Sequence, residues 1–148
     1  MYQIERMTRH WIDEVVVLER QIFEKDAWNR EMIQEELVDA PHKHPLVLIS
    51  EEKLAGYAML WTIDGEVHLY NFAIHPDFRR RGLGHWFLNA IFDRFREARV
   101  MFLEVRATND AARSLYEKNG FEVFASRRGY YSDGEDALIM KKNLTEAE

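Results

Sequence analysis

The run Arg79-Arg80-Arg81-Gly82-Leu83-Gly84 stands between an apolar stretch, Phe72-Ala73-Ile74, and apolar residues at helical spacing, Trp86, Phe87, Leu88, Ile91, Phe92 and Phe95. Strand, glycine loop and helix start in that order suit one kind of chemistry, the holding of an anion. The open end of a helix offers backbone N–H groups without partners and the positive end of its dipole. Glycine lets a bulky diphosphate approach the backbone with no Cβ in the way. Spacing narrows the choice of ligand. A dinucleotide fingerprint needs a small residue where Phe87 stands, and a P-loop needs Gly-Lys-Ser/Thr where His85 follows Gly84, so neither fits. For the motif alone, a glycine-softened turn with its arginines in solvent is the alternative.

Glu104 is the odd member of the strand-like Val100-Met101-Phe102-Leu103-Glu104-Val105. Alternation puts Met101, Leu103 and Val105 on one face and Phe102, Glu104 and Arg106 on the other. Two readings stay open: a half-exposed ion pair with Arg106, or a cleft carboxylate acting as a base. Tyr116, at helical spacing from Ala112, is a core or rim aromatic unless its context gives it more to do. His75, before Pro76, reads as structural or solvent-exposed. His42 and His44 flank a proline-bounded loop, a weak metal signal, and no metal is expected.

These groups need elements to carry them. Tyr2 and Ile4 alternate as a first strand extending toward Met7, and Trp11, Val15, Leu18 and Ile22 recur as a helix. Asn29 reads as the N-cap of a second helix, with Trp28 and Ile33 as its hydrophobic staple, ending near Asp39 before Pro41. Strands follow at Leu46 to Ser50 and Leu54 to Ile63, and Asp64-Gly65 is a hairpin signal feeding a strand from Glu66 to Ile74. A helix from Gly82 to Ala98, the Glu104 strand, a short helix capped by Asn109 and ended by Gly120, and an antiparallel pair at Phe121 to Ala125 and Ala137 to Lys141 complete the order. No repeat or linker interrupts it, so residues 1–148 read as one domain of mixed α/β (α+β) layers.

The chain has no cysteine, which removes disulfide scaffolds, zinc–cysteine sites and any cysteinyl acyl-enzyme. A net charge of −6 with only two short arginine clusters argues against nucleic acid as partner. Neither a signal-peptide pattern nor a membrane-length apolar run is present, so no membrane partner and a cytoplasmic location are expected.

Arg79-x-x-Gly82-x-Gly84 resembles the pyrophosphate loop of the GCN5-related N-acetyltransferases, which use acetyl-coenzyme A. Asn109-x-x-Ala112-x-x-Leu115-Tyr116-x-x-x-Gly120-Phe121 resembles the last block of the same superfamily. Leu103 to Asn109, Arg127-Arg128-Gly129-Tyr130-Tyr131 and Asp133 to Met140 are similar to the RimI-type ribosomal-protein alanine N-acetyltransferases, strongly from about Asn71 to Met140 and weakly before that. The resemblance implies a mostly antiparallel central sheet flanked by about four helices. It also implies Glu104 as general base and Tyr116 as general acid. Acetyl-coenzyme A would be held by Phe72, Ala73 and Ile74, by Arg79, Arg80, Arg81, Gly82, Leu83, Gly84 and His85, and by Asn109, with no metal. Tyr130 and Tyr131 would line the acceptor site, the alternative being ordinary strand aromatics. The acceptor implied is a basic protein N-terminus, such as that of a small-subunit ribosomal protein. A carboxylate base suits an α-ammonium, with a pKa of about 8, better than a lysine at about 10.4. A small amine, a lysine side chain, or a non-catalytic coenzyme A-binding role are the competing expectations.

Overall fold

The computed structural model describes residues 1–145. Strands β1 (Tyr2–Arg6), β2 (Lys43–Ser50), β3 (Lys53–Ile63), β4 (Glu66–Ile74), β5 (Val100–Arg106), β6 (Glu122–Arg127) and β7 (Ala137–Asn143) alternate with helices α1 (Ile12–Phe23), α2 (Arg30–Glu36), α3 (Leu83–Arg94) and α4 (Asp110–Lys118). The hydrogen-bonded strand order is β1-β2-β3-β4-β5-β7-β6, mostly antiparallel, as expected. The chain divides into two compact units, one of Met1–Thr62 with Tyr70–Leu83, the other of Ile63–Leu69 with the chain from Gly84 onward.

In the first unit, Val15 and Leu18 of α1 and Ile33 of α2 cover Val47, Ile49, Tyr57, Met59 and Ala73 of the sheet. Asn29 caps α2 as its sequence position predicts, its side chain accepting from the Met32 N–H at 2.9 Å. Helix α2 stops at Glu36, short of Asp39, and β2 begins at Lys43 rather than Leu46. The Lys43 ammonium donates to the Glu35 carbonyl at 3.0 Å, so the strand's first residue helps to end the helix before it. His44 therefore lies in a strand, not in a loop, its Nε2 bonded to the Thr62 hydroxyl at 2.9 Å. At Gly56 the strands come so close that a Cβ would sit 2.6 Å from the Ala73 carbonyl oxygen.

Buried under α1 is a carboxylate that the sequence pattern does not flag. Glu19, 1% exposed, accepts from the Tyr57 hydroxyl at 2.7 Å, the Asn71 amide at 2.8 Å and the Trp28 backbone N–H at 2.9 Å. One side chain thus ties α1, β3, β4 and the segment before α2 through neutral donors.

The second unit holds the hairpin turn Asp64-Gly65, both left-handed at φ 50° and 81° as its signature predicts, before β4. The parallel ladder of β4 on β5 runs from Glu66–Val100 to Leu69–Leu103, and β5 pairs with β7 along its whole length. The alternation on β5 is as expected: Met101, Leu103 and Val105 are buried and Glu104 is exposed. Helix α3 ends at Arg94, four residues before Ala98, and Phe87, Leu88 and Ile91 on its inner face are fully buried.

Two buried tyrosines make an alkaline signature. Burial, then the Glu19 charge, pushes the Tyr57 hydroxyl far above its ordinary value, and burial raises that of Tyr116. In the unfolded chain both ionise near pH ~10, so folding stability holds below that pH and declines as pH rises through it. A phenolate absorbance titration is expected to show two tyrosines that ionise only as the protein unfolds. Tyr57→Phe and Tyr116→Phe each remove one of them.

Candidate active site

The loop before α3 is built for tight backbone turns. Arg80 and Gly82 are left-handed, at φ 64° and 71°, and a Cβ at Gly82 would meet nothing within 4 Å. Arg79, Arg80 and Arg81 are exposed, and the Arg81 guanidinium lies 5.3 Å from the centre of the Phe78 ring. Leu83 is buried and opens α3, whose first turn carries no acidic side chain. Open space before a glycine backbone, positive side chains and a twelve-residue helix start fit a diphosphate. Gly84 serves packing as well, since a Cβ there would touch the Leu115 methyls at 3.4 Å. His85 Nδ1 pairs with the Asn119 amide at 2.9 Å. Its companion Asn109 accepts from the Ala112 N–H at 3.2 Å and so caps α4 as predicted.

Upstream, Phe72, Ala73 and Ile74 end β4, with Ala73 buried and its neighbours partly exposed. The next residue, His75, donates its backbone N–H to the Ala55 carbonyl, while its ring accepts from the Asp77 N–H, a structural role as expected.

Glu104 does not pair with Arg106. The carboxylate, its side chain 36% exposed, lies 3.9 Å from Arg127 Nη2, and the Arg127 guanidinium in turn lies 5.6 Å from the centre of the Tyr130 ring. Arg106 turns instead to Asp133 and Glu135, at 2.9 and 3.0 Å. Strand alternation shows which face Glu104 occupies, but not which neighbour claims the arginine. Tyr130, 49% exposed, has its hydroxyl pKa raised chiefly by the Glu104 charge, with Arg127 opposing. Its ring meets that of Tyr131 edge-on at 5.1 Å. Sequence reasoning placed both tyrosines near an acceptor and missed Arg127 as a partner of Glu104.

Tyr116 is buried on the inner face of α4, its ring edge-on to Phe121 at 5.7 Å. The adjoining turn closes with the Phe121 N–H donating to the Tyr116 carbonyl at 3.0 Å. Along the exposed face of β5, Phe102 stacks on His68 at 5.5 Å and tilts against Phe124 at 5.8 Å. Phe124 is the extra residue of a bulge in β6, where the register on β7 shifts between Val123 and Ala125. Among the described residues no group of three acidic or histidine side chains is arranged to hold a metal ion, and no helix is long and apolar enough to cross a membrane.

Residues 7–121 match the acetyltransferase (GNAT) family, and the chain belongs to it. It is an N-acetyltransferase, and its acetyl donor is acetyl-coenzyme A. Relatives narrow the likeness. A Bacillus subtilis protein with the provisional name ribosomal protein bS18-alanine N-acetyltransferase is 34% identical over 97% of this chain and 96% of its own. The ribosomal protein bS18-alanine N-acetyltransferase of Salmonella typhimurium is 41% identical over 64% of this chain and 68% of its own. The crystal structure of the ribosomal-protein-S18-alanine N-acetyltransferase from Escherichia coli superposes with a TM-score of 0.88 at 29% identity, covering 100% of this chain and 97% of that one.

Proposed function

We propose that the chain, acting as one N-acetyltransferase domain over residues 1–148, acetylates a protein N-terminal α-amine, that of the alanine of ribosomal protein bS18. The observation that carries this reading is the solvent-accessible Glu104 carboxylate, paired with Arg127 in a chain similar along its whole length to a relative named for that acceptor.

Bound acetyl-coenzyme A supplies a thioester carbonyl open to attack by an amine and a thiolate that leaves. The backbone of Phe72 to Ile74 would hold its amide-bearing arm and the loop from Arg79 to His85 its diphosphate, and Asn109 would be a further contact to it. Glu104 Oε accepts the proton of the acceptor ammonium, directly or through a water, and frees the amine lone pair. The Tyr116 hydroxyl, kept protonated by its burial, gives its proton to the departing sulfur. Tyr130, whose ring lies beside the Arg127 that pairs with the Glu104 carboxylate, lines the entry of the N-terminus. The partner is a basic N-terminus, not nucleic acid.

Thiol release with a peptide bearing a free N-terminal alanine, set beside its N-blocked lysine-containing counterpart, tests the reading. Release with the free N-terminus alone is the expected result. Release with the lysine peptide alone moves the acceptor to lysine, and silence with both points to a small amine or to coenzyme A binding without turnover.

A further inference from the structure

Arg106 stands two residues beyond Glu104 on the same face of β5, and its side chain is 14% exposed. Its Nη1 donates to Asp133 Oδ2 at 2.9 Å and to Glu135 Oε2 at 3.0 Å, while the guanidinium lies 4.0 Å from the centre of the Tyr131 ring. All three partners sit on the loop from Arg128 to Asp136 that joins β6 to β7. More bonds fasten the same loop to the end of β5. Glu135 accepts from the Thr108 hydroxyl and from its N–H, and the Ala107 N–H donates to the Asp136 carbonyl at 3.0 Å.

We infer that Arg106 is a positioning residue for the acceptor site, holding the β6–β7 loop so that Tyr130 stays beside the Arg127 that pairs with Glu104. The inference rests on the proposed acetylation of an N-terminal amine. Half-exposed pairs such as Arg127–Glu104 are too weak to fix a loop by themselves. A guanidinium shared by two carboxylates and stacked on an aromatic ring is a network with one geometry, which a lysine cannot reproduce. Arg106 orients Tyr131, and Tyr130 follows because it is the preceding residue and packs edge-on against that ring. The strand that carries the base thus also carries the anchor of the loop facing it, and the spacing of two residues sets them side by side. Arg106 touches no reacting atom. Its effect falls on how the acceptor is received, not on acetyl-coenzyme A or on proton transfer.

The experiment compares wild type, Arg106→Lys, Arg106→Gln, Tyr130→Phe and the Arg106→Gln/Tyr130→Phe double variant in steady state with the free-alanine peptide. Arg106→Gln is expected to raise the acceptor KM about tenfold or more and to leave the acetyl-coenzyme A KM within about twofold, the pattern of lost uniform binding to one substrate. Arg106→Lys fails to restore the acceptor KM. The double variant is no worse than the worse single one, because both act through Tyr130. Independently of turnover, trypsin cuts after Arg127 and Arg128 about fivefold faster once the loop is released, with opening there no longer suppressed. Asp133→Ala, which leaves β5 untouched, shifts both readouts in the same direction and stands in should Arg106→Gln fail to fold. Additive effects with Tyr130→Phe, equal rises in both KM values, rescue by lysine, or unchanged trypsin cleavage overturns the inference while the acetylation reading stands. A wild-type protein silent toward every free N-terminus removes that reading, and the inference falls with it.

Discussion

Glu104→Gln is expected to cut turnover with a free-N-terminus peptide by about 10²- to 10⁴-fold, the range that loss of a positioned general base produces. Acetyl-coenzyme A affinity, measured by calorimetry, stays within about twofold, because the cofactor-binding residues proposed above lie elsewhere in the chain. The amide keeps the size of the side chain, so the local structure survives while the proton acceptor is lost. Equal rates for the two proteins would remove Glu104 from its role. Tyr116→Phe gives the complementary result, slower transfer with the fold intact, since the ring keeps its packing on Phe121 and loses only the hydroxyl.

Glu19→Ala is the substitution expected to cost most in stability. It strips the acceptor from the Tyr57 hydroxyl, the Asn71 amide and the Trp28 N–H in one step. Each donor left unpaired costs about 1–3 kcal/mol, and the vacated volume adds to that, so a loss of about 3 kcal/mol or more follows. At roughly 2–4 °C per kcal/mol for a chain of this size, the melting temperature falls by about 6 °C or more. Glu19→Gln loses less, about 1–2 kcal/mol, because its carbonyl oxygen still accepts while its amide faces a remaining donor. Thermal melts of the two variants side by side decide the matter: an alanine protein as stable as the glutamine one would mean that these hydrogen bonds add nothing net.

Where the sequence carried a local signal, it was readable. Asn29 and Asn109 mark helix starts because a side-chain oxygen must meet an orphan N–H, and Asp64-Gly65 marks a hairpin because both residues turn left-handed. The glycine loop and the alternation around Glu104 were legible for the same reason. Signals that depend on distant partners were not. Lys43 to Pro45 read as loop because of the proline, yet the Pro45 carbonyl accepts from the Met7 N–H, so its missing N–H faces away from β3 and the ladder on β3 loses nothing. Helix α2 loses its last residues to the Lys43 ammonium, seven or more positions away in the chain. Arg106 looked like a partner for Glu104 on a shared strand face, and only the returning loop with Asp133 and Glu135 shows why it is claimed elsewhere. Glu19 sits in a helix whose apolar spacing gives no hint that a carboxylate points inward.

The β6–β7 loop closes on itself. Gly134 N–H meets the Tyr131 carbonyl, Tyr131 N–H meets the Glu135 carbonyl, Glu135 N–H meets Asp133, and Gly129 N–H meets Asp136, with Gly129 and Gly134 both at positive φ. Its shape is written in its own nine residues and in the short segment from Arg106 to Thr108 that it grips. A stretch so self-sufficient behaves as a cassette: transplanted together with that docking segment, it carries its tyrosines in register onto another member of the fold. With its tyrosines at the acceptor as proposed, exchange of this one hairpin tip is expected to change acceptor preference while the strands and helices beneath keep their sequence.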